Sequence, residues 1–417
     1  MKLTKSNLSS LAFCFVAGLA FKTAAADSDW PQWRGPHLDG ISPDTGLLQQ
    51  WPAQGPKLVW KTTKIGAGYS GVAVVDGKIF TMGDSTDASF IYALDEATGK
   101  QLWAAKVGKP GGGGGYAGPR CTPTVDGDLV FALGQWGDLV CVESATGKER
   151  WHKNLVTNFK GKMMSDWGYS ESPLVDGDRL ICTPGGPDGT LLALNKTTGA
   201  QLWRTTTLKD SAAYCSAIVA EIGGQRQYVQ LTDASVFGVA AENGNVLWRA
   251  PRRGSTAVIT TPVFYDNCVY VTSAYGVGCN LFKITANDRE FKAEQVYANK
   301  VMVNHHGGVI RIGEYVYGYS DGKGWVCQEF KTGKLVWPEK SKLGKGSIAY
   351  ADGHFYLRDE DKGTVVLIEA SPEGYKPTGR FEQPGRSDQM AWPHPVIAHD
   401  RLYLRDQGLL VCYDLKK

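Results

Sequence analysis

The feature that most constrains this chain is a stretch of strand, turn and tryptophan that returns at regular intervals. Ile91 to Trp103 reads IYALDEATGKQLW, Leu139 to Trp151 reads LVCVESATGKERW, and Leu191 to Trp203 reads LLALNKTTGAQLW. Looser copies run from Phe237 to Trp248 and from Trp325 to Trp337. With the closing aromatic taken as the end of each unit, the ends fall at Trp60, Trp103, Trp151, Trp203, Trp248, Tyr297, Trp337 and Phe381, 40 to 52 residues apart. Units of that length built from short alternating strands are blades, not pairs of solenoid helices.

Each unit also holds an earlier hairpin, two apolar runs around a tight turn. The expected turns are Asp76-Gly77, Asp126-Gly127, Asp176-Gly177, Gly223-Gly224, Asp266-Asn267, Gly313-Glu314, Asp352-Gly353 and His399-Asp400. Two-residue turns that match the twist of their strands need positive φ, which Gly and Asn tolerate. Eight hairpins lead to eight third strands, yet only seven aromatic-ended fourth strands follow them. The unclaimed fourth strand is Leu58-Val59-Trp60, which has no hairpin before it. It is expected to complete the blade begun by residues 394–404, which closes the ring and removes an exposed sheet edge. The expected fold is therefore all-β, an eight-bladed propeller of four-stranded antiparallel blades over residues 58–417, preceded by an N-terminal extension at 27–57. In the T-G-K-x-x-W stretch the Gly should turn the chain and the Trp should lie flat on the next blade, contributing ~1.5–3 kcal/mol by area.

Residues 1–26 carry Lys2 and Lys5, an apolar run from Leu8 to Phe21 and then Ala24-Ala25-Ala26, the pattern of a signal peptide cut after Ala26. The run is shorter than the ~20 residues a bilayer span needs. Cys14 follows Phe13, not the small residue a lipoprotein signal requires, so no lipid is expected on it. Cleavage would remove three Lys and leave 42 basic against 42 acidic residues. A neutral chain argues against nucleic acid or an anionic membrane as partner. The expected location is periplasmic or secreted, and the expected state a monomer.

Eight Cys remain after that cut, an even number in an exported chain. Cys141, Cys327 and Cys412 occupy the repeat slot that Ala93 and Ala193 hold, so they read as small buried packing residues. Cys268 and Cys279 flank one short loop and are the single pair considered for a bridge.

In a propeller the loops leading into first strands and those joining second to third strands meet on one face, around the central channel. Those loops bring Arg120, Trp167, Tyr169, Glu171, Tyr214, Asn304, His305, His306, Lys345, Trp392 and His394, with Tyr69, a set richer in aromatic and ionisable groups than a rim requires. His305 and His306 stand as acid/base or ligand groups, or as hydrogen-bonded channel lining. Glu171 stands as a Ca²⁺ ligand or general base, or as the ion-pair partner of Arg120. Asp321 shares a unit with His305, whereas most Asp residues in these loops form turns. Trp136, Trp167 and Trp392 offer stacking surfaces or simple loop packing. No carboxylate or His spacing defines a metal site, and no Ser lies in a nucleophile elbow. The run Gly111 to Gly115 lacks the strand-then-helix setting of a phosphate loop.

The stretch Ala93 to Trp103 resembles the pyrroloquinoline quinone (PQQ) type propeller repeat, A-x-D-x-x-T-G-K-x-x-W. More narrowly, WPQWRGP (30–36), WGYSESP (167–173), NHHGG (304–308), YSDGKG (319–324) and RDQ (405–407) are similar to stretches of exported PQQ-binding-like propellers common in planctomycete-type bacteria. The resemblance implies the fold strongly and the function weakly, because the repeat serves both quinoprotein dehydrogenases and the propeller subunit of the outer-membrane β-barrel assembly machinery. No two Cys are adjacent and no C-x-x-C-H haem-attachment motif occurs, which departs from the quinoprotein alcohol dehydrogenases. Two functions follow. One is a non-catalytic binding or interaction scaffold with a small-molecule or protein ligand at the channel face. The other is an oxidoreductase for an alcohol or sugar, using PQQ with Ca²⁺, with Glu171, His305, His306 or Asp321 in proton transfer.

Overall fold

The computed structural model describes residues 28–287 and 290–417. The expected signal peptide and Cys14 lie outside the described residues. Among those described, thirty-two strands form eight four-stranded sheets and there is no helix. Blades 1 to 7 run in chain order, beginning at Ala73, Thr124, Leu174, Ile218, Val263, Val309 and Gly346. Blade 8 takes its first three strands from Val396–Ala398, Arg401–Asp406 and Leu409–Asp414 and its fourth from Lys57–Thr62, which pairs antiparallel with Leu409–Asp414. The closure expected from Leu58-Val59-Trp60 is the closure observed.

Six of the eight hairpin turns fall where expected. In blades 2 and 3 the turn residues are instead Gly127-Asp128 and Gly177-Asp178, one position later, because Asp126 and Asp176 remain paired at the strand ends. Gly127 and Gly177 then carry the positive φ as the first of two central residues, the arrangement a type II′ turn needs. The shift has a consequence for packing. Each Asp is left at the edge of its blade to reach the next one, Asp126 to Lys196 and Asp176 to Arg226 and the Tyr228 hydroxyl.

Most blades are joined by one repeated device; the seam from blade 4 to blade 5 lacks it, because the Trp248 indole donates to Gln227 of its own blade. Trp60, Trp103, Trp151, Trp203 and Trp337 each donate the indole N–H to a carbonyl of the following blade, at 2.8–3.2 Å. Four of the rings, those of Trp60, Trp103, Trp151 and Trp203, lie against the turn glycine of that blade. Gly147 shows why the residue must be Gly: its φ is 71°, and a Cβ there would stand 2.6 Å from the Trp103 ring. Tyr297 serves the same role through its hydroxyl to Phe330. Blade 8 has no such turn of its own, and the N-terminal segment replaces it: Gly55 and Trp51 receive Phe381, with Trp51 5.4 Å from that ring.

The first strands of neighbouring blades touch and line the hub. Residues 30–48 run across it. Trp30 pairs with Val74 in blade 1, Pro31 accepts from Val125 in blade 2, Ile41 pairs with Tyr350 in blade 7 and Leu47 with Lys416 beyond blade 8. Arg34, almost fully buried, donates to the carbonyls of Leu38, Asp39 and Val309. The extension is thus the plug of the channel. All eight described cysteines are buried and free, so the pair considered for a bridge, Cys268 and Cys279, is not one; Cys279 is instead hydrogen-bonded to Asn299.

Candidate functional site

Above the plug, on the face where loops lead into the first strands, lies a cavity of about 180 Å³. Eight of the residues expected at the channel face line it: Tyr69, Arg120, Trp167, Tyr214, His305, His306, Trp392 and His394. Its floor is Trp33 of the plug, whose ring lies 4.6 Å from that of His394.

Arg120 joins two aromatic panels. Its guanidinium donates to the Trp167 carbonyl at 2.8 Å and to the Tyr116 carbonyl at 2.7 Å. On one side Trp167 stacks on Tyr214 at 6.1 Å, and on the other Trp392 stands 4.7 Å from both Tyr69 and Tyr116, tilted by 37° and 42°. The five-glycine run explains part of this wall. A Cβ at Gly113 or Gly114 would collide with the backbone of Asp166 or the indole of Trp167, so only glycine lets the loop lie on that ring.

The histidines form the far wall, linked to the rim. Tyr275 is 3.2 Å from His305 Nε2, the two Nδ1 atoms of His305 and His306 are 3.4 Å apart, and His306 Nε2 is 3.3 Å from Glu360 without the alignment of a hydrogen bond. Glu360 accepts instead from the Trp392 indole at 2.8 Å. His394 donates from Nε2 to the His306 carbonyl, which can only accept. Burial is the chief reason all three imidazoles stay neutral: it pushes His305 down to about 4 and His394 to about 3, and His306 lies well below its ordinary value. Burial likewise raises Glu360 above the usual carboxylate range.

The remaining expected site residues lie elsewhere. Glu171 is buried beneath the wall, accepting from the Thr183 N–H, with Gln230 at 3.5 Å, and does not pair with Arg120. Lacking a cation, it is pushed up to about 7 by burial. Tyr169 donates to the Pro184 carbonyl, and Asn304 bonds Thr260, Gly308 and Tyr319; both brace loops from within. Asp321 and Lys345 pair with each other at 3.3 Å outside the lining.

Sequence reasoning did not single out Trp33, Tyr116, Ser170, Tyr275 or Glu360. Tyr275 had a detectable signal, the Tyr-Gly pair at the centre of the four-residue turn Ala274 to Val277. It holds φ 55°, strained for a bulky residue, and its turn presents the ring at the rim.

A calcium-bound quinone does not fit this donor set. Calcium takes ~6–8 oxygen ligands. No carboxylate lines the cavity, and among the described residues no group of three or more His, Cys, Asp and Glu could hold a metal. The rings flanking Trp392 are tilted and leave no parallel slot around it.

An eight-bladed propeller of PQQ-like repeats, plugged at its hub and hollowed on one face, is the class these features define. The chain belongs to the family described as outer membrane protein assembly factor BamB, whose model matches residues 87–337. It is 26% identical over 241 residues to the outer membrane protein assembly factor BamB of Burkholderia pseudomallei, covering 56% of this chain and 58% of that one. It is 28% identical over 166 residues to the serine/threonine-protein kinase AfsK of Streptomyces griseus, covering 39% of this chain and 19% of that one. The quinohemoprotein alcohol dehydrogenase of Comamonas testosteroni is related in sequence, 26% over 204 residues, covering 43% of this chain and 26% of that one. Its solved structure superposes with a TM-score of 0.65 at 11% identity, over 93% of this chain and 81% of that one, which shows the fold alone. The chain spans less than two thirds of the length of these three curated relatives.

Proposed function

We propose that this chain is an exported, non-catalytic binding propeller that holds a small anionic, ring-bearing ligand in its channel cavity. Arg120 carries the reading. A guanidinium set into an aromatic wall, bonded only to two carbonyls and facing no carboxylate in the lining, is costly to desolvate until an anion arrives. The neutral histidines around it leave that charge uncompensated. Relatedness to an outer membrane protein assembly factor supports a second reading, a scaffold for protein partners. The observation favouring it is the row of exposed apolar residues on outer strands, Leu58, Leu102, Leu202 and Leu335, where an extended segment could add.

The test is a fluorescence titration of the mature protein with carboxylate-bearing rings, and separately with PQQ plus Ca²⁺. Ring carboxylates should quench the cavity tryptophans, and Arg120→Ala should weaken binding at least tenfold, about 1.4 kcal/mol. Binding of PQQ that requires Ca²⁺, with oxidation of an alcohol, would overturn the reading in favour of the oxidoreductase. Export is checked by N-terminal sequencing, with Asp27 as the expected first residue.

A further inference from the structure

The cavity holds more unspent polar groups than a single anion needs. Arg120 uses two of its five N–H groups. Ser170 Oγ has no hydrogen-bond partner, and His306 Nε2 faces only the misaligned Glu360 carboxylate at 3.3 Å; both atoms are buried in the lining. A flat aromatic acid could satisfy Arg120 but would leave the other two unpaired, a cost for buried groups. A ring that carries a carboxylate and several hydroxyls serves all three.

A cation stands over an aromatic face at three places outside the cavity, Arg311 on Tyr265, Lys342 on Tyr375 and Lys109 on Trp136, and only the last is on a loop of the cavity's own face. Trp136 is 38% exposed, and Lys109 Nζ lies 5.5 Å from its centroid. The indole N–H donates to the Pro110 carbonyl at 3.1 Å, which fixes the ring. Its neighbour Gln135 accepts from the Tyr169 N–H at 2.9 Å and so ties this loop to the one bearing Trp167. Two aromatic-and-cation sites stand side by side on one face, one inside the cavity and one beyond it.

We infer that the ligand is an acidic oligosaccharide, a chain of hexuronate units, with its end ring in the cavity at Arg120 and the next ring on Trp136 beside Lys109. This deepens the binding reading above and rests on it.

The experiment is calorimetric titration of the mature chain with galacturonate, its dimer and trimer, the matching neutral galactose series, and benzoate. Galacturonate should bind at least tenfold more tightly than galactose, and the trimer about tenfold more tightly than the monomer. Trp136→Ala should reduce the trimer-to-monomer ratio below twofold, whereas Trp136→Phe, which keeps a ring, should retain most of it; equal melting temperatures show that both variants fold. Affinity independent of chain length would overturn the outer site. Tight benzoate binding with no uronate binding would overturn the sugar class while leaving the binding reading intact. If no carboxylate-bearing ring binds, both fall.

Discussion

The rim and the hub of this propeller are built on opposite plans. At the rim one contact is repeated, an aromatic ring from one blade laid on the turn of the next, five of them with an indole N–H to a carbonyl. At the hub almost nothing repeats. Arg34, Trp33, Glu171 and the His305–His306 pair each make contacts found once in the molecule. Repetition secures the ring, and the unrepeated residues are free to form a site.

That contrast can be broken by substitution, and the largest effect should come from the rim. Gly147→Val forces a β-branched residue into φ 71° and into the Trp103 ring, and should lower the stability of the chain by about 4 kcal/mol in urea unfolding. Adding Trp103→Ala should cost less than the sum of the two single changes, because the clash is then relieved.

The next effect belongs to the hub and depends on pH. Glu171 titrates near 7 in the fold against 4.5 for an ordinary Glu, so the folded state prefers its neutral form. The associated stability is complete below about pH 4.5 and is lost as pH rises toward 7, by about 3 kcal/mol. Glu171→Gln should remove that slope in melting curves taken between pH 4.5 and 8.

Arg34→Ala should cost about 2 kcal/mol, since it leaves three carbonyls without their donor. Hydrogen exchange should rise around Val309 in the hub and stay unchanged at the Trp103 seam. The smallest effect should come from the closing seam between blades 8 and 1. There His399 lies 2.9 Å from Glu96 and 3.0 Å from Asp29, and the Glu96 hydrogen bond is the main reason it is raised to about 9. Its contribution is complete below pH 6.5 and lost as pH rises through 9; because the imidazole side chain is 23% exposed, solvent screening discounts it to about 1 kcal/mol. His399→Ala should flatten stability between pH 7 and 10 and leave the other seams unchanged.

The rim was legible because its chemistry is local. T-G-K-x-x-W places a glycine where φ must be positive and an indole a few residues later, and hairpin turns can be counted against aromatic ends until Leu58-Val59-Trp60 remains. Only the turns of blades 2 and 3 were misplaced, by one residue, because D-G reads equally well with Gly first or second. The site was half legible. Loops leading into first strands named Arg120, Trp167, His305, His306 and Trp392, which do share a cavity, but they named Glu171, Tyr169 and Asn304 as well, which face inward to backbone partners.

By itself the order of residues determined the eight blades, their closure by the N-terminal strand and the face on which the conspicuous side chains gather. A periodic pattern sets these through short-range turns and strand pairing. Tertiary structure alone decided that residues 30–48 plug the channel, that Arg120 meets no carboxylate, and that Trp33, Tyr116 and Tyr275 complete the cavity. Those outcomes depend on which way a side chain turns once distant blades have met, and no local spacing encodes that direction.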